Sequence, residues 1–142
     1  MQNKKTKKII VYIAAPYTLP SICNNVRIAI SVANELMNEG YMPFCPHLFH
    51  FQNISHTRPE REWLEIDKEW LKVCDVVLRL KGKSKGADAE VALAKKLGIP
   101  VVRTIKELEA YREDTLSRTK ISYNQNKNKV DKRVVNKKQK GC

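Results

Sequence analysis

At 142 residues with 42% apolar side chains, the chain suits one domain with a single core plus a tail. Its net charge of +12 is concentrated at the ends. Residues 113–142 hold nine Lys/Arg against three acids, and Lys4, Lys5, Lys7 and Lys8 add four more, which leaves the body near +2. The body is therefore no basic nucleic-acid platform. No apolar segment reaches the ~18 residues that a membrane-spanning helix needs. The four cysteines, Cys23, Cys45, Cys74 and Cys142, show no C-x-x-C spacing, and the lysine-rich start carries no leader-like run. Free thiols in a cytoplasmic protein are expected.

Lys8 to Ala14, KIIVYIA, reads as a buried strand that breaks into a loop at Ala15-Pro16-Tyr17-Thr18-Leu19-Pro20. Residues 23–39 read as a helix with Val26, Ile30, Ala33, Leu36 and Met37 on one face and Gly40 as its stop. A short strand follows at Tyr41 to Cys45. Pro46 to Glu60 is expected to be a long aromatic loop that faces substrate or forms a lid, with His47, His50 and His56 lining the pocket or packing the lid. Residues 59–74 read as a helix opened by Pro59, and Asp75 to Leu80 as a strand. A Gly-rich turn, a helix and a strand at Val101-Val102 then follow, and a last helix runs from Thr104 to about Arg112. Residues 1–112 form the expected domain, and 113–142 a basic tail, disordered or transiently helical. The β-α order predicts an α/β fold, a small doubly wound, flavodoxin- or Rossmann-like parallel sheet of four to five strands with helices on both faces.

Two acids lie on apolar helix faces. Asp67 aligns with Trp63, Trp70 and Cys74, while Glu65, Lys68, Glu69 and Lys72 form the solvated face. Glu90 aligns with Leu93, Ala94 and Leu97, near the start of its helix and behind the turn at a strand's carboxyl end, where α/β sheets bind ligands. An inward carboxylate must be paired, protonated or used. Singly, each also fits a structural role: Glu90 beside a helix N-terminus, Asp67 satisfied by backbone.

Four blocks, VYIAAPYT, GYMPFCPH, IDKEWLKVCDVVLRL and GKSKGADAEVALAKKLGIPV, resemble the nucleoside 2-deoxyribosyltransferase-like superfamily over residues 8–103. That superfamily includes nucleoside 5′-monophosphate N-glycosidases and uncharacterised phage and bacterial proteins. The resemblance implies covalent catalysis at an N-glycosidic bond, without metal or organic cofactor. Glu90 would attack C1′ and form a glycosyl ester, and Asp67 would help protonate the departing base, as in retaining glycosidases, whose carboxyls lie about 5 Å apart. Tyr12 would orient the glutamate, although a half-buried sheet tyrosine fits it equally. Ser84, with Lys83 and the N–H groups around Gly86, would receive a 5′-phosphate. Tyr17 and His47 would line the substrate site, and Asp75 would support a loop. Ala15 stands where many relatives carry glycine. A homodimer or larger assembly, with a neighbour completing the pocket, is implied as well. Ribose against deoxyribose, the preferred base, and transfer against hydrolysis stay open.

Gly82-x-Ser84-x-Gly86 also spells a nucleophile elbow, but all three histidines precede the serine, the reverse of that class's order. His47-x-x-His50 with His56 matches no zinc spacing, and the turn lacks the glycine spacing of a Walker motif. Two further readings remain: a catalytically silent nucleotide-binding domain, and a nucleic-acid-binding role for the basic tail.

Overall fold

Four consecutive residues of strand β1 (Ile10–Ala14), Val11 to Ala14, have no exposed surface, so both faces of the sheet are covered. The computed structural model describes residues 7–139. Its elements are β1, α1 (Ile22–Asn38), β2 (Met42–Phe44), a 3-10 turn (Pro46–Leu48), α2 (Phe49–Ser55), α3 (Glu60–Lys72), β3 (Val76–Arg79), α4 (Lys85–Lys96), β4 (Val101–Val102) and α5 (Ile105–Gln139). The strands form one parallel sheet in the order β2-β1-β3-β4. This is the expected small α/β fold, with four strands.

The order reverses at β1. The chain leaves β1 toward β2 and later passes β1 to reach β3 and β4, so right-handed crossovers put α1 on one face and α3 and α4 on the other. On the α3/α4 face, Tyr12, Ala14 and Val77 pack with Leu71, Cys74, Ala87 and Ala94. A switch point of this kind opens a crevice beyond the carboxyl ends of β1 and β3.

The loops at those ends touch. Gly82 has φ +119°, and a Cβ there would stand 2.7 Å from Cγ of Pro16. Gly82→Ala should therefore combine a disfavoured backbone with a displaced Pro16 and cost roughly 1–3 kcal/mol, read as a lower urea midpoint. An unchanged midpoint would show that the loops give way freely.

Three local expectations are corrected. Residues 46–60 are not a long loop: a 3-10 turn with Pro46 at its start leads into α2, because no Gly or Pro interrupts residues 47–58. Met37, Trp70 and Leu97, read as lying on apolar helix faces, are exposed, and so is Leu64. The last helix does not stop near Arg112: the tail, expected to be disordered or transiently helical, continues it as far as Gln139. No glycine or proline falls between Ile105 and Gln139 to break it, and an Asp114–Arg118 pair at 3.0 Å spans one turn. The boundary between two compact units falls between Ile105 and Lys106. Lys4, Lys5 and Cys142 lie outside the described residues. Among the described residues, no helix is long and apolar enough to cross a membrane.

Candidate active site

Tyr12 points from the middle of β1 into the α3/α4 face because strand side chains alternate. Its hydroxyl donates to Glu90 Oε1 at 2.7 Å. Glu90 reaches it from α4, whose start is set by Ser84: the Ser84 side chain accepts from the Ala87 N–H at 3.1 Å as an N-cap. Asp67 comes from α3, and its Oδ1 is buried with no hydrogen-bond partner. Tyr12 is fully buried, while Glu90 and Asp67 are half-buried.

Burial governs the electrostatics. It pushes the Glu90 carboxyl up to about 7, against a lowering pull from the Tyr12 hydrogen bond and the Arg79 charge, and Asp67 adds to the rise. Burial pushes Asp67 up to about 6. Tyr12 is raised well above the usual phenol range, first by burial and then by the two carboxylates, so it stays a donor. Because the Asp67 charge raises Glu90, the two half-buried carboxyls titrate as a pair, which holds roughly one proton between about pH 6 and 7, mostly on Glu90.

This has a consequence for stability. Each folded value lies above its unfolded one, so the contribution is fully present below about pH 4 and is lost as pH rises through 6 and 7. Glu90→Gln should thus be more stable than wild type at pH 8, by on the order of 3 kcal/mol, with the gap closing at pH 4. Urea denaturation of both proteins at the two pH values checks this. A gap that is constant with pH would mean that Glu90 is not desolvated.

The other anticipated residues fall into two sets. Ser84 and Gly86 sit at the start of α4, and Lys83 is exposed in the turn before it. Gly86 needs no special backbone, since a Cβ there would meet only Ser84 Oγ at 3.9 Å. Tyr17, 37% exposed, lies in the β1–α1 loop with its hydroxyl 2.7 Å from His50 Nδ1 and its ring edge-on to His47. His47 is buried; burial lowers its pKa, and its Nε2 donates to the Pro16 carbonyl at 2.8 Å. It therefore fixes the β1 loop. Asn25, not anticipated, does the same from α1 by donating to the carbonyls of Tyr17 and Leu19, both at 2.9 Å. Asp75 lies at the opposite end of the sheet, where it accepts from Ile10 N–H and pairs with Lys7.

Arg79 was also missed, hidden inside an apolar run. It is only 5% exposed, and its guanidinium donates to the carbonyls of Leu80 and Gly82 and to Asp88. A charged residue within the otherwise apolar run Val76 to Leu80 was the available signal, because such a charge must find partners. Aromatic rings extend the wall: Phe44 stacks on Trp70 with centroids 5.0 Å apart and lies 5.6 Å from Tyr12, and Phe49 stacks on Trp63. Among the described residues, no group of three or more His, Cys, Asp or Glu side chains is placed to hold a metal ion.

A family model described as a Domain of unknown function (DUF7768) matches residues 9–104. No curated protein matches the chain in sequence. Among solved structures, a 2-deoxyribosyltransferase from the psychrotolerant bacterium Bacillus psychrosaccharolyticus is similar at 20% identity and a TM-score of 0.49, covering 65% of this chain and 69% of that one.

Proposed function

The chain belongs to the DUF7768 family, and we propose that it cleaves or transfers at the N-glycosidic bond of a nucleoside or nucleoside 5′-monophosphate. The observation that carries this reading is the 2.7 Å hydrogen bond from buried Tyr12 to Glu90, beside Asp67 with its unpartnered oxygen. A carboxylate held in one orientation is a nucleophile in waiting, and a protonated acid with a free oxygen is a proton donor.

The productive state is the minor tautomer of the pair: the higher value of Glu90, about 7 against about 6 for Asp67, leaves the proton mostly on Glu90, and the Tyr12 hydroxyl and Arg79 favour the form in which the charge is on Glu90 and the proton on Asp67. A Glu90 oxygen attacks C1′ of the sugar as the C1′–N bond breaks, and Asp67 gives its proton to the departing base. The resulting ester is released by water, which returns a proton to the pair, or by a second base, which completes transfer. Tyr17 in the β1 loop would border the sugar or base. His47 would shape the pocket through Pro16 rather than by direct contact. Lys83 and the N–H groups near Ser84 and Gly86 would receive a 5′-phosphate where one is present.

The deciding experiment is chromatographic detection of free base from a panel of nucleosides and 5′-monophosphates, with and without an acceptor base. Release establishes the bond cleaved, acceptor dependence separates transfer from hydrolysis, and preference for monophosphates supports the Lys83–Gly86 turn as a phosphate site. Saturable nucleotide binding without release from any substrate would replace this reading with a silent nucleotide-binding domain.

A further inference from the structure

Arg79 is the most deeply buried charged side chain of the described residues, and the reading above gives it no place in the reaction. Its neighbour across β1 is Ala14, two residues beyond Tyr12, so it rises from the same face of the sheet as Tyr12 and Val77. The small Ala14 side chain leaves room there for a guanidinium. Three attachments leave it: to the carbonyl of Leu80, to the carbonyl of Gly82 at 2.9 Å, and to Asp88 Oδ1 at 2.9 Å. Its Nε is buried without a partner.

These attachments span the turn between β3 and the first turn of α4. Gly82 is the residue packed on Pro16, and Asp88 lies two positions before Glu90 on the same helix. The side chain is thus bound to the segment that carries Glu90 and to the loop that borders the crevice. A surface cation would be hydrated and screened, whereas this one is 95% buried and acts on a half-buried carboxylate.

We propose that Arg79 is the positioning residue of this site: it ties the β3–α4 turn to the start of α4, the helix that carries Glu90, and fixes a positive charge at that end of it. The proposal rests on Glu90 being the reacting carboxylate. The charged or titratable groups acting on Glu90 are Tyr12 from β1, Asp67 from α3 and Arg79 from β3, and Arg79 lowers the carboxyl's affinity for its proton. On α4 itself, Asp88 is the anion that partly offsets the guanidinium. Removal of Arg79 leaves burial and Asp67 opposed only by the Tyr12 hydrogen bond.

The test is a carbon-13 NMR titration of the Glu90 carboxyl in the full chain, assigned with Glu90→Gln, for wild type, Arg79→Met and Arg79→Lys. In Arg79→Met the Glu90 midpoint should move to higher pH. Arg79→Lys should restore much of the midpoint but not the three-way attachment, so amide exchange at residues 82–84 should stay faster than in wild type. The ascending limb of the pH profile for base release should move with the midpoint, and a one-unit move would cut the ionised fraction at pH 7 about fivefold. An unmoved midpoint in folded Arg79→Met would overturn the proposal.

Asp88→Asn at an exposed position serves if Arg79→Met does not fold. Freed of its anion, Arg79 should lower the Glu90 midpoint, and no movement there likewise overturns the proposal. The titration needs no turnover. A midpoint that moves in a protein releasing no base would sink the glycosidic reading and leave Arg79's role standing, and base release with an unmoved midpoint would do the reverse.

Discussion

Glu90→Gln should lower base release by at least about a thousandfold while the protein stays folded. Glutamine keeps the shape of the side chain and an oxygen to accept the 2.7 Å bond from Tyr12, so packing around the site is preserved. What it removes is the anionic oxygen that forms the bond to C1′ in the proposed reaction. Without it the sugar must depart as a free cation-like species, the route that the covalent step avoids. Intact-protein mass spectrometry supplies a second readout. Wild type quenched during turnover should carry the mass of one glycosyl group on a peptide containing Glu90, and the variant should carry none. Base release within tenfold of wild type, or an adduct mapped to another residue, would remove Glu90 from the nucleophile's role.

Asp67→Asn should cost about 10²–10⁴-fold in base release, and the loss should depend on the leaving group. A base that departs without protonation has little use for a general acid, so substrates with activated leaving groups should lose far less than ordinary nucleosides. The pH profile should change too. Burial keeps a proton on the pair to about pH 6 and above, so wild-type base release should fall at alkaline pH as that proton is lost. Asparagine cannot lose it, and the alkaline limb should disappear. An equal loss for every leaving group, with the limb intact, would assign Asp67 to holding structure. Its unpartnered buried oxygen argues otherwise, since a structural carboxylate at such a position would be hydrogen-bonded.

Both carboxylates were legible from helix periodicity, because an acid on an apolar stripe stands out against its neighbours. Glu90 and Asp67 do face inward, even though Leu97 and Leu64 beside them are exposed. Periodicity tells which way a residue points relative to its own helix, and nothing about what waits there. The helix end near Arg112 was placed too early for a related reason: low apolar content argues against a packed core, but it does not prevent a helix free of glycine and proline.

By itself, the sequence determined what depends on neighbours along the chain. The alternation of strands and helices, the breaks at Pro16 and Gly98, the Ser84 cap and the inward acids are all local, set by backbone preference and hydrophobic period. Only the tertiary structure decided which of these meet. Tyr12 and Glu90 are 78 residues apart, and His47 reaches Pro16 across 31. Arg79 looked like an interruption in an apolar strand until the parallel register set it beside Ala14. Those contacts depend on strand order and on which face each crossover takes, and a linear pattern cannot encode them because burial is a property of the assembled sheet.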